Sequence, residues 1–291
     1  MILLRDDDPN ATTRPERLAR AYAPLLDAGY PINFAVVPEV ALDTLAPDGR
    51  RERFIDEDAP HSSDTAPLLP NSDLAVWIKA NASQIDVFQH GHTHRRGVDG
   101  TEFGCLSRDG AARAIEQGAT VLERALGRRP VGFVPPWDVP SRGAVQAAAS
   151  AFPLISCCWV SRARLPYSAW PAHVIERATR REAIRIGDSW LLRHRNGINA
   201  TLDPAAVPAT VEALTRGAEV GVIVLHHWMF WGGSEPHPVI VALARALRGR
   251  RLATVRQAVT HLQAAPRWWG RRPSAAVPEP LDAERTQPCG G

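Results

Sequence analysis

Three histidines lie within five positions at the end of an apolar segment. His90, His92 and His94 follow the run Ile85–Phe88. Neutral imidazole is the commonest protein ligand for a metal ion, and the end of a strand opens onto the mouth of a site. His90 and His94, four residues apart, would form with one carboxylate a set of three protein ligands. Such a set leaves positions open for water and substrate, as a hydrolytic metal site requires.

Carboxylates and further histidines end two other apolar segments. Asp6–Asp8 follow the apolar start of the chain, and His226 and His227 follow the run Val220–Leu225. Because successive strand side chains diverge, one aspartate can bind a metal ion while its neighbour stays free to take a proton. A histidine on the opposite side could protonate a leaving group. The residue types therefore suit metal-assisted hydrolysis.

Ordinary structural roles compete with these functional ones. The aspartates could cap the helix that follows them. However, Thr13-Arg14-Pro15-Glu16 predicts a capping box that already caps this helix. His226 and His227 could be core histidines with satisfied hydrogen bonds. Tryptophans Trp137, Trp228 and Trp231 are either core aromatics or platforms that stack on sugar rings. Arg108 is either a solvated charge or a substrate contact.

Strand-like runs alternate with helical patterns along most of the chain, which predicts an α/β fold with a parallel sheet. Four of the predicted strands end in polar or aromatic clusters. In (β/α) barrels the active site is built at the C-terminal ends of the strands, so a barrel would bring the four clusters to one mouth. These clusters are Asp6–Asp8, His90–His94, Pro135–Asp138 and His226–Trp228.

One barrel domain is expected over residues 1–265. Residues 43–72 are polar and rich in Pro, Asp and Arg, which indicates a long insertion outside the core. Residues 266–291 are rich in Arg, Pro and Gly, and we expect a disordered tail there.

Composition excludes several classes of protein. The chain has 291 residues and a formal net charge of +3, without a basic stripe interleaved with aromatics, so no nucleic-acid partner is expected. The apolar runs are too short for stable membrane insertion. Three aspartates by position 8 and the lack of an apolar h-region argue against a secretory signal. A cytoplasmic location is therefore expected.

The motifs, in their order, resemble those of the polysaccharide deacetylase superfamily (NodB homology, carbohydrate esterase family 4), especially a bacterial branch with HGxTH and PPW motifs. The resemblance spans roughly residues 1–230. The family's FDDGP motif is similar to Arg5-Asp6-Asp7-Asp8-Pro9, and its HxxxH motif to His90 with His94. Its RxPY-like motif is similar to Val134-Pro135-Pro136-Trp137, and its LxH motif to Leu225-His226-His227.

This resemblance implies a distorted (β/α)7 barrel that holds one divalent metal ion, with Zn²⁺ as the expected metal. Counted from the proline, Asp6 would be the catalytic base and Asp7 the metal ligand beside His90 and His94. His227 would be the general acid. The Trp137 backbone N–H would polarise the acyl carbonyl, because the two prolines before it have no N–H to offer.

Two positions depart from the family pattern. Val134 stands where the family has the arginine that pairs with the base, and Arg5 and Arg108 are the two candidates to replace that arginine. The aspartate that tunes the acidic histidine has no clear match, and Asp188 is a weak candidate.

These features predict a metal-dependent hydrolase that removes an N-acetyl group from an amino sugar or sugar conjugate, which could be small or lipid-linked. Asp138, Trp228 and Arg108 join Trp137 as predicted substrate contacts. One alternative is a hydrolase of non-sugar amides on the same barrel. Another is a degenerate barrel that binds carbohydrate without turnover.

Overall fold

The computed structural model describes residues 1–46, 48–97, 100–158, 161–179, 183–232 and 234–264. The predicted tail, residues 266–291, lies outside these ranges. Within them the chain forms strands and helices in alternation. The strands are β1 (Ile2–Asp7), β2 (Ile32–Val36), β3 (Glu39–Ala41), β4 (Thr65–Pro67), β5 (Ile85–His90), β6 (Arg96–Gly97), β7 (Gly100–Thr101), β8 (Gly132–Val134), β9 (Leu154–Cys157), β10 (Ala183–Ile186), β11 (Ser189–Arg193) and β12 (Gly221–His226). The helices are α1 (Pro15–Leu26), α2 (Asp73–Ala80), α3 (Arg108–Leu126), α4 (Arg142–Ala151), α5 (Trp170–Thr179), α6 (Val207–Thr215), α7 (Pro238–Ala246) and α8 (Val255–Ala264).

The main sheet has the order β10-β11-β9-β8-β5-β2-β1-β12 and curls into a half-barrel. Only the β10–β11 pair is antiparallel among its described pairings, so seven strands run parallel. Parallel strands need crossovers, and helices supply them. The predicted α/β class with a parallel, barrel-like sheet is thereby confirmed.

Strand register brings the polar ends to one edge. Asp7 lies opposite His226 in the β1–β12 pair, and His90 lies opposite Val134 in the β5–β8 pair. Because these strands are parallel, the residues that follow them share the carboxyl edge of the sheet. The predicted convergence of the four clusters is therefore present.

Side-chain alternation in β1 separates the aspartates. Leu3 belongs to the apolar cluster that includes α8, whereas Leu4 packs with the cluster that includes α1, α2, α6 and α7. Both leucines are fully buried. Burial of each contributes roughly 1.5–3 kcal/mol, and a one-residue slip would exchange the two faces. Arg5 and Asp7 thus share the side of Leu3, and Asp6 shares that of Leu4.

Two local features differ from the sequence prediction. Helix α1 begins at Pro15 with Arg14 at the N-cap and without a side-chain cap, because the Thr13 hydroxyl accepts a hydrogen bond from the Asn10 N–H instead. The insertion at 43–72 is not wholly outside the core, because Phe54 and Ile55 are buried in a small apolar cluster with Val37, Val40 and Leu42. The Phe54 ring lies 4.7 Å from that of His94, so the insertion walls the candidate site.

None of the described helices combines the length and the apolar character that crossing a bilayer requires.

Candidate active site

Asp8, His90 and His94 form a buried group at the carboxyl edge of the sheet. The Nε2 atoms of both histidines lie 3.3 Å from Asp8 Oδ1, and one potential ligand atom of each residue falls within 4.8 Å of the others. Two imidazole nitrogens and a carboxylate oxygen this close together need a cation or shared protons among them. Ligand atoms of a tetrahedral Zn²⁺ site lie roughly 3.3–3.6 Å apart, which the two separations between Asp8 and the histidines match.

The surroundings of the group favour its use as a ligand set. The His90 Nδ1 lies 3.0 Å from the Val134 carbonyl oxygen, and a proton donated there leaves the Nε2 lone pair facing Asp8. The Nδ1 of His94 is buried without a hydrogen-bond partner. When protons rather than a metal ion occupy the group, burial raises the pKa of Asp8, but the hydrogen bonds that the protonated His90 and His94 then donate outweigh burial and lower that pKa well below its ordinary value. Asp8 is therefore ionised.

The structure places Asp8, and not the predicted Asp7, beside the histidines, so the geometry favours Asp8 as the carboxylate of this group. Strand β1 ends at Asp7, and Asp8 then takes a φ of 79°. This left-handed turn carries the Asp8 carboxylate out of the strand alternation and toward β5. The Asp7 carboxylate stays on the side of Arg5.

The loop that carries His94 is held by Glu102. Its carboxylate accepts hydrogen bonds from the backbone N–H groups of His92, Thr93 and His94, at 3.1, 2.7 and 3.0 Å. Gly91 allows the loop to leave β5, since its φ is 59° and an added Cβ would meet Pro136 Cγ at 2.4 Å. His94 itself has a φ of 53°. The position of His94 therefore depends on a glycine and on a carboxylate from another loop.

Arg5 is fully buried and grips Asp7 with two parallel hydrogen bonds. Its Nε and a terminal nitrogen lie 2.8 and 2.7 Å from the two Asp7 oxygens, and its other terminal nitrogen donates to the Ser156 hydroxyl at 2.7 Å. Burial lowers the pKa of Arg5, but the charges of Asp7 and Asp138 outweigh burial and raise it. Arg5 thus pairs with Asp7 and not with Asp6, the predicted base.

Asp138 and His194 extend this network. The His194 Nε2 lies 3.2 Å from Asp138 Oδ2 and 3.3 Å from a terminal nitrogen of Arg5. Asp138 also accepts a hydrogen bond from the Cys158 N–H at 3.1 Å. Burial raises the pKa of Asp138, but the His194 hydrogen bond and the Arg5 charge hold it well below the ordinary range. Asp138, predicted as a substrate contact, thus belongs to the hydrogen-bonded network around Arg5.

Asp6 and His227 form a second buried pair, on the other face of β1. The His227 Nδ1 lies 3.1 Å from Asp6 Oδ2, and the His227 backbone N–H donates to Asp6 Oδ1 at 2.6 Å. The Tyr22 hydroxyl donates to the same Oδ1 at 2.7 Å. Burial is the main cause of a raised pKa at Asp6. The His227 Nε2 has no hydrogen-bond partner, so it is the nitrogen free to act on a substrate.

Tryptophans line the site around these groups. The Trp228 indole N–H donates to Asp8 Oδ2 at 2.9 Å, and the Trp137 ring lies 4.1 Å from that of His94. Trp137 has a φ of 54°, within a turn that follows β8. A cavity of about 680 Å³ opens beside Trp228 and Trp231. Trp228 is therefore a support of the Asp8 carboxylate as well as part of the cavity wall.

Most of the predicted site residues converge, and two do not. Asp6, Asp7, His90, His94, Trp137, Asp138, Trp228 and His227 all lie around the carboxyl edge. Arg108 is exposed in the first turn of α3, and the described residues offer its side chain no ion pair or hydrogen bond. Asp188 is exposed in the β10–β11 turn beside Arg185, so it does not contact His227.

Several site residues carried no recognisable signal in the sequence. Asp8 stood beside two aspartates of the same type, and only its backbone conformation distinguishes it. His194, Ser156 and Glu102 are isolated polar residues that the fold brings to the site. Tyr22 lies on the buried face of α1, where its hydroxyl could have indicated a buried acceptor.

Solved structures share this fold over most of the chain. A protein from Mycobacterium smegmatis, assigned to the polysaccharide deacetylases, is 14% identical with a TM-score of 0.53, and the match covers 92% of this chain and 94% of that one. The Xyl-CE4 domain of a xylanase from the hindgut metagenome of Trinervitermes trinervoides is also 14% identical, with a TM-score of 0.49 and 90% of each chain covered.

A family 4 acetyl xylan esterase from Clostridium thermocellum, in complex with a cobalt ion, is 15% identical with a TM-score of 0.46, over 90% of this chain and 93% of that one. No protein-family model and no curated protein matches the sequence. Together with the seven parallel strands, the likeness to the mycobacterial protein shows that the chain has the NodB-homology fold of the polysaccharide deacetylases.

Proposed function

We propose that this protein is a metal-dependent hydrolase that removes the N-acetyl group of an amino sugar or sugar conjugate, giving acetate and a free amine. The observation that carries the proposal is the placement of two ion pairs around one candidate metal group. Arg5, Asp6 and Asp7 lie on β1, directly before Asp8, and Asp6 pairs with His227, which follows β12. A base and an acid are thereby each held next to the candidate ligands.

Asp8, His90 and His94 would hold one divalent ion, and two imidazoles with one carboxylate are a donor set suited to Zn²⁺. A bound ion would polarise the acetyl carbonyl and lower the pKa of a water molecule toward neutrality. The Trp228 N–H and the Val134 carbonyl orient two of the three ligands.

Asp7 is the base that the geometry supports, in place of Asp6. On one side, its two oxygens accept two parallel hydrogen bonds from the Arg5 guanidinium, which fix the carboxylate and keep it ionised. Each oxygen retains a lone pair that can take a proton from the attacking water. Asp6 has both oxygens engaged by His227 and Tyr22 on the helix-facing side of β1. We assign Asp6 a positioning role.

His227 would deliver a proton to the departing amine. Its Nδ1 donates to Asp6, which sets the tautomer and stabilises the protonated ring, so Nε2 carries the proton to be transferred. Asp6 thereby takes the part of the aspartate for which the sequence offered only Asp188. The Trp137 N–H would donate to the oxyanion, since the two prolines before it leave no earlier donor.

Acetate release is the direct test. Purified protein loaded with one equivalent of Zn²⁺ is incubated with N-acetylglucosamine, its β-1,4-linked oligomers and N-acetylglucosamine 1-phosphate, and acetate is measured. We expect release from at least one substrate, a loss of roughly 10²–10⁴-fold in Asp6→Asn and a larger loss in Asp7→Asn, with metal content retained in both. No release from any sugar, with Zn²⁺ bound, would contradict the proposal.

Two alternatives predict different outcomes of the same assay. A hydrolase of non-sugar amides would release carboxylate from acyl amides or ureides and none from the sugars. A degenerate barrel would bind sugar oligomers, measured by calorimetry, with equal affinity in the wild type and in Asp7→Asn, and would release acetate from none.

A further inference from the structure

A basic cavity adjoins the candidate active site. It has a volume of about 680 Å³ and is lined by side chains from α1, from the insertion and from the loop after β12. This volume is in the range of pockets that hold small molecules of drug or cofactor size, roughly 300–1,000 Å³. The side chains that matter here are Arg17, Arg20, Arg51, Arg53, Trp228 and Trp231.

Two tryptophans connect the cavity to the catalytic groups. The Trp228 N–H donates to Asp8 Oδ2 at 2.9 Å, and the Trp231 ring lies 5.0 Å from the His227 ring. A ligand in the cavity would therefore lie next to both the metal ligands and the proposed acid. Indole faces also suit the apolar faces of sugar rings, and the Trp231 Nε1 is a buried donor without a partner.

Four arginines and three glutamates line the cavity, and the arginines differ in how they are paired. Arg17 is engaged by Asp56 and Glu57, and Arg51 donates to the carbonyl oxygens of Ala59 and Pro60, so its charge is not neutralised by that contact.

Arg20 and Arg53 are exposed, and the described residues give neither an ion pair or a hydrogen bond. Arg20 and Arg53 thus lack a carboxylate partner among the described residues, whereas the charge of Asp56 acts on Arg51 and that of Arg96 on the lining Glu52. Guanidinium groups bind phosphate oxygens through paired hydrogen bonds, and more than one arginine suits a doubly charged or bridging phosphate.

We propose that this cavity binds the phosphate of a phosphorylated N-acetyl sugar, with the sugar ring between the tryptophans and its acetamido group in the metal site. The inference rests on the proposed function for the identity of the sugar, and on the cavity itself for the phosphate. The same phosphate chemistry occurs in sugar 1-phosphates, in nucleotide-linked sugars and in lipid-linked sugars.

Calorimetry on the Zn²⁺-loaded protein tests the proposal. The probes are N-acetylglucosamine 1-phosphate and the uncharged methyl glycoside of N-acetylglucosamine. We expect the phosphate to bind at least about 10-fold more tightly, and the double variant Arg20→Gln/Arg53→Gln to lose most of this ratio. Contact of the phosphate with the metal ion would be equal in both proteins, so the difference reports the arginines.

A matched control removes the same charge elsewhere. Arg113→Gln/Arg124→Gln changes two exposed arginines of α3, outside the cavity, and should keep the full ratio. A wild type without preference for the phosphate, or equal loss in both double variants, would overturn the proposal. Thermal melting confirms that all three proteins are folded.

The binding ratio separates this proposal from the proposed function. A phosphate preference without acetate release would leave the cavity assignment intact and contradict the deacetylase. Acetate release from uncharged sugars without a phosphate preference would support the deacetylase and contradict the cavity assignment. Uridine-diphosphate and farnesyl-diphosphate conjugates of N-acetylglucosamine then identify the source: tighter binding of one assigns it, and equal binding indicates that the cavity contacts the phosphate alone.

Discussion

Arg5 and Asp7, two positions apart on one strand, form a bidentate ion pair that is buried on the interior side of β1. A buried ion pair is compatible with a stable fold only if each charge in it has partners, because burial of an unpaired charge costs free energy. Ser156, His194 and Asp138 complete the match for Arg5. The strand that carries the catalytic carboxylates thus also carries the cation that orients one of them.

Removal of the Arg5 charge should destabilise the fold. Arg5→Gln leaves Asp7 and Asp138 buried without their cation, and breaking such a pair from one side costs roughly 3–5 kcal/mol. We expect a fall of this size in the free energy of unfolding, measured by urea denaturation. Arg185→Gln, which removes an exposed pair with Asp188, should change it by less than about 1 kcal/mol. Equal effects of the two substitutions would contradict the network.

Asp138 should stabilise the fold in a pH-dependent way. Its pKa is depressed in the folded protein, so it binds fewer protons when folded than when unfolded, and its contribution is lost as the pH falls. The difference in free energy of unfolding between the wild type and Asp138→Asn should be constant from pH 7 to about pH 5 and shrink below about pH 3.9, the ordinary aspartate pKa. Urea denaturation across this range measures it. A difference that grew on acidification would have the wrong sign.

Gly91 should be required for reasons beyond its backbone conformation. Gly91→Ala would add both a strained φ and a contact of 2.4 Å with Pro136, whereas Gly29→Ala adds only a strained φ, with nothing within 4 Å of the new Cβ. We expect Gly29→Ala to cost about 1 kcal/mol and Gly91→Ala clearly more, together with weaker Zn²⁺ binding. Thermal denaturation and metal titration of both variants measure the contrast. Equal costs would mean that the loop tolerates the side chain.

The Trp228 indole should tune the metal site through Asp8. Trp228→Phe keeps the aromatic ring and removes the N–H that donates to Asp8 Oδ2. Loss of such an outer contact to a ligand typically weakens metal binding by about 10–100-fold. Trp231→Phe is the comparison, because Trp231 contacts His227 and not a ligand, and its Zn²⁺ affinity should match the wild type. Competition with a chromophoric chelator gives both affinities.

The sequence predicted the parts of the fold that depend on periodicity. Apolar runs and helical stripes indicated the α/β barrel, and the polar residues after four strands indicated the shared mouth. Helix α5, Trp170–Thr179, by contrast, is not among the elements that the sequence predicts. The buried Phe54 was likewise hidden in a segment whose composition is polar. Local composition carries little information where a short element is fixed by tertiary contacts.

The types of residue in the site could be predicted from the sequence, but the role of each residue could not. Three consecutive aspartates offer no difference in chemistry, so the ligand was assigned by counting from Pro9. The φ of 79° at Asp8 moves that assignment by one residue. Arg5 had been one of two candidates for the missing arginine, and only the packed structure distinguishes it from the exposed Arg108. The partner of His227 could not be found by spacing, since Asp6 and His227 are 221 positions apart.

The affinities of Asp8→Asn and Asp7→Asn for Zn²⁺ test the central claim most directly. Both changes remove one charge without changing side-chain shape, and Asp7→Asn keeps an acceptor for Arg5. Competition with a chelator of known affinity should show Asp8→Asn weakened by more than about 100-fold and Asp7→Asn by less than about 10-fold. The reverse order, with Asp7→Asn losing the metal and Asp8→Asn retaining it, would contradict the assignment of Asp8, His90 and His94 as the ligands.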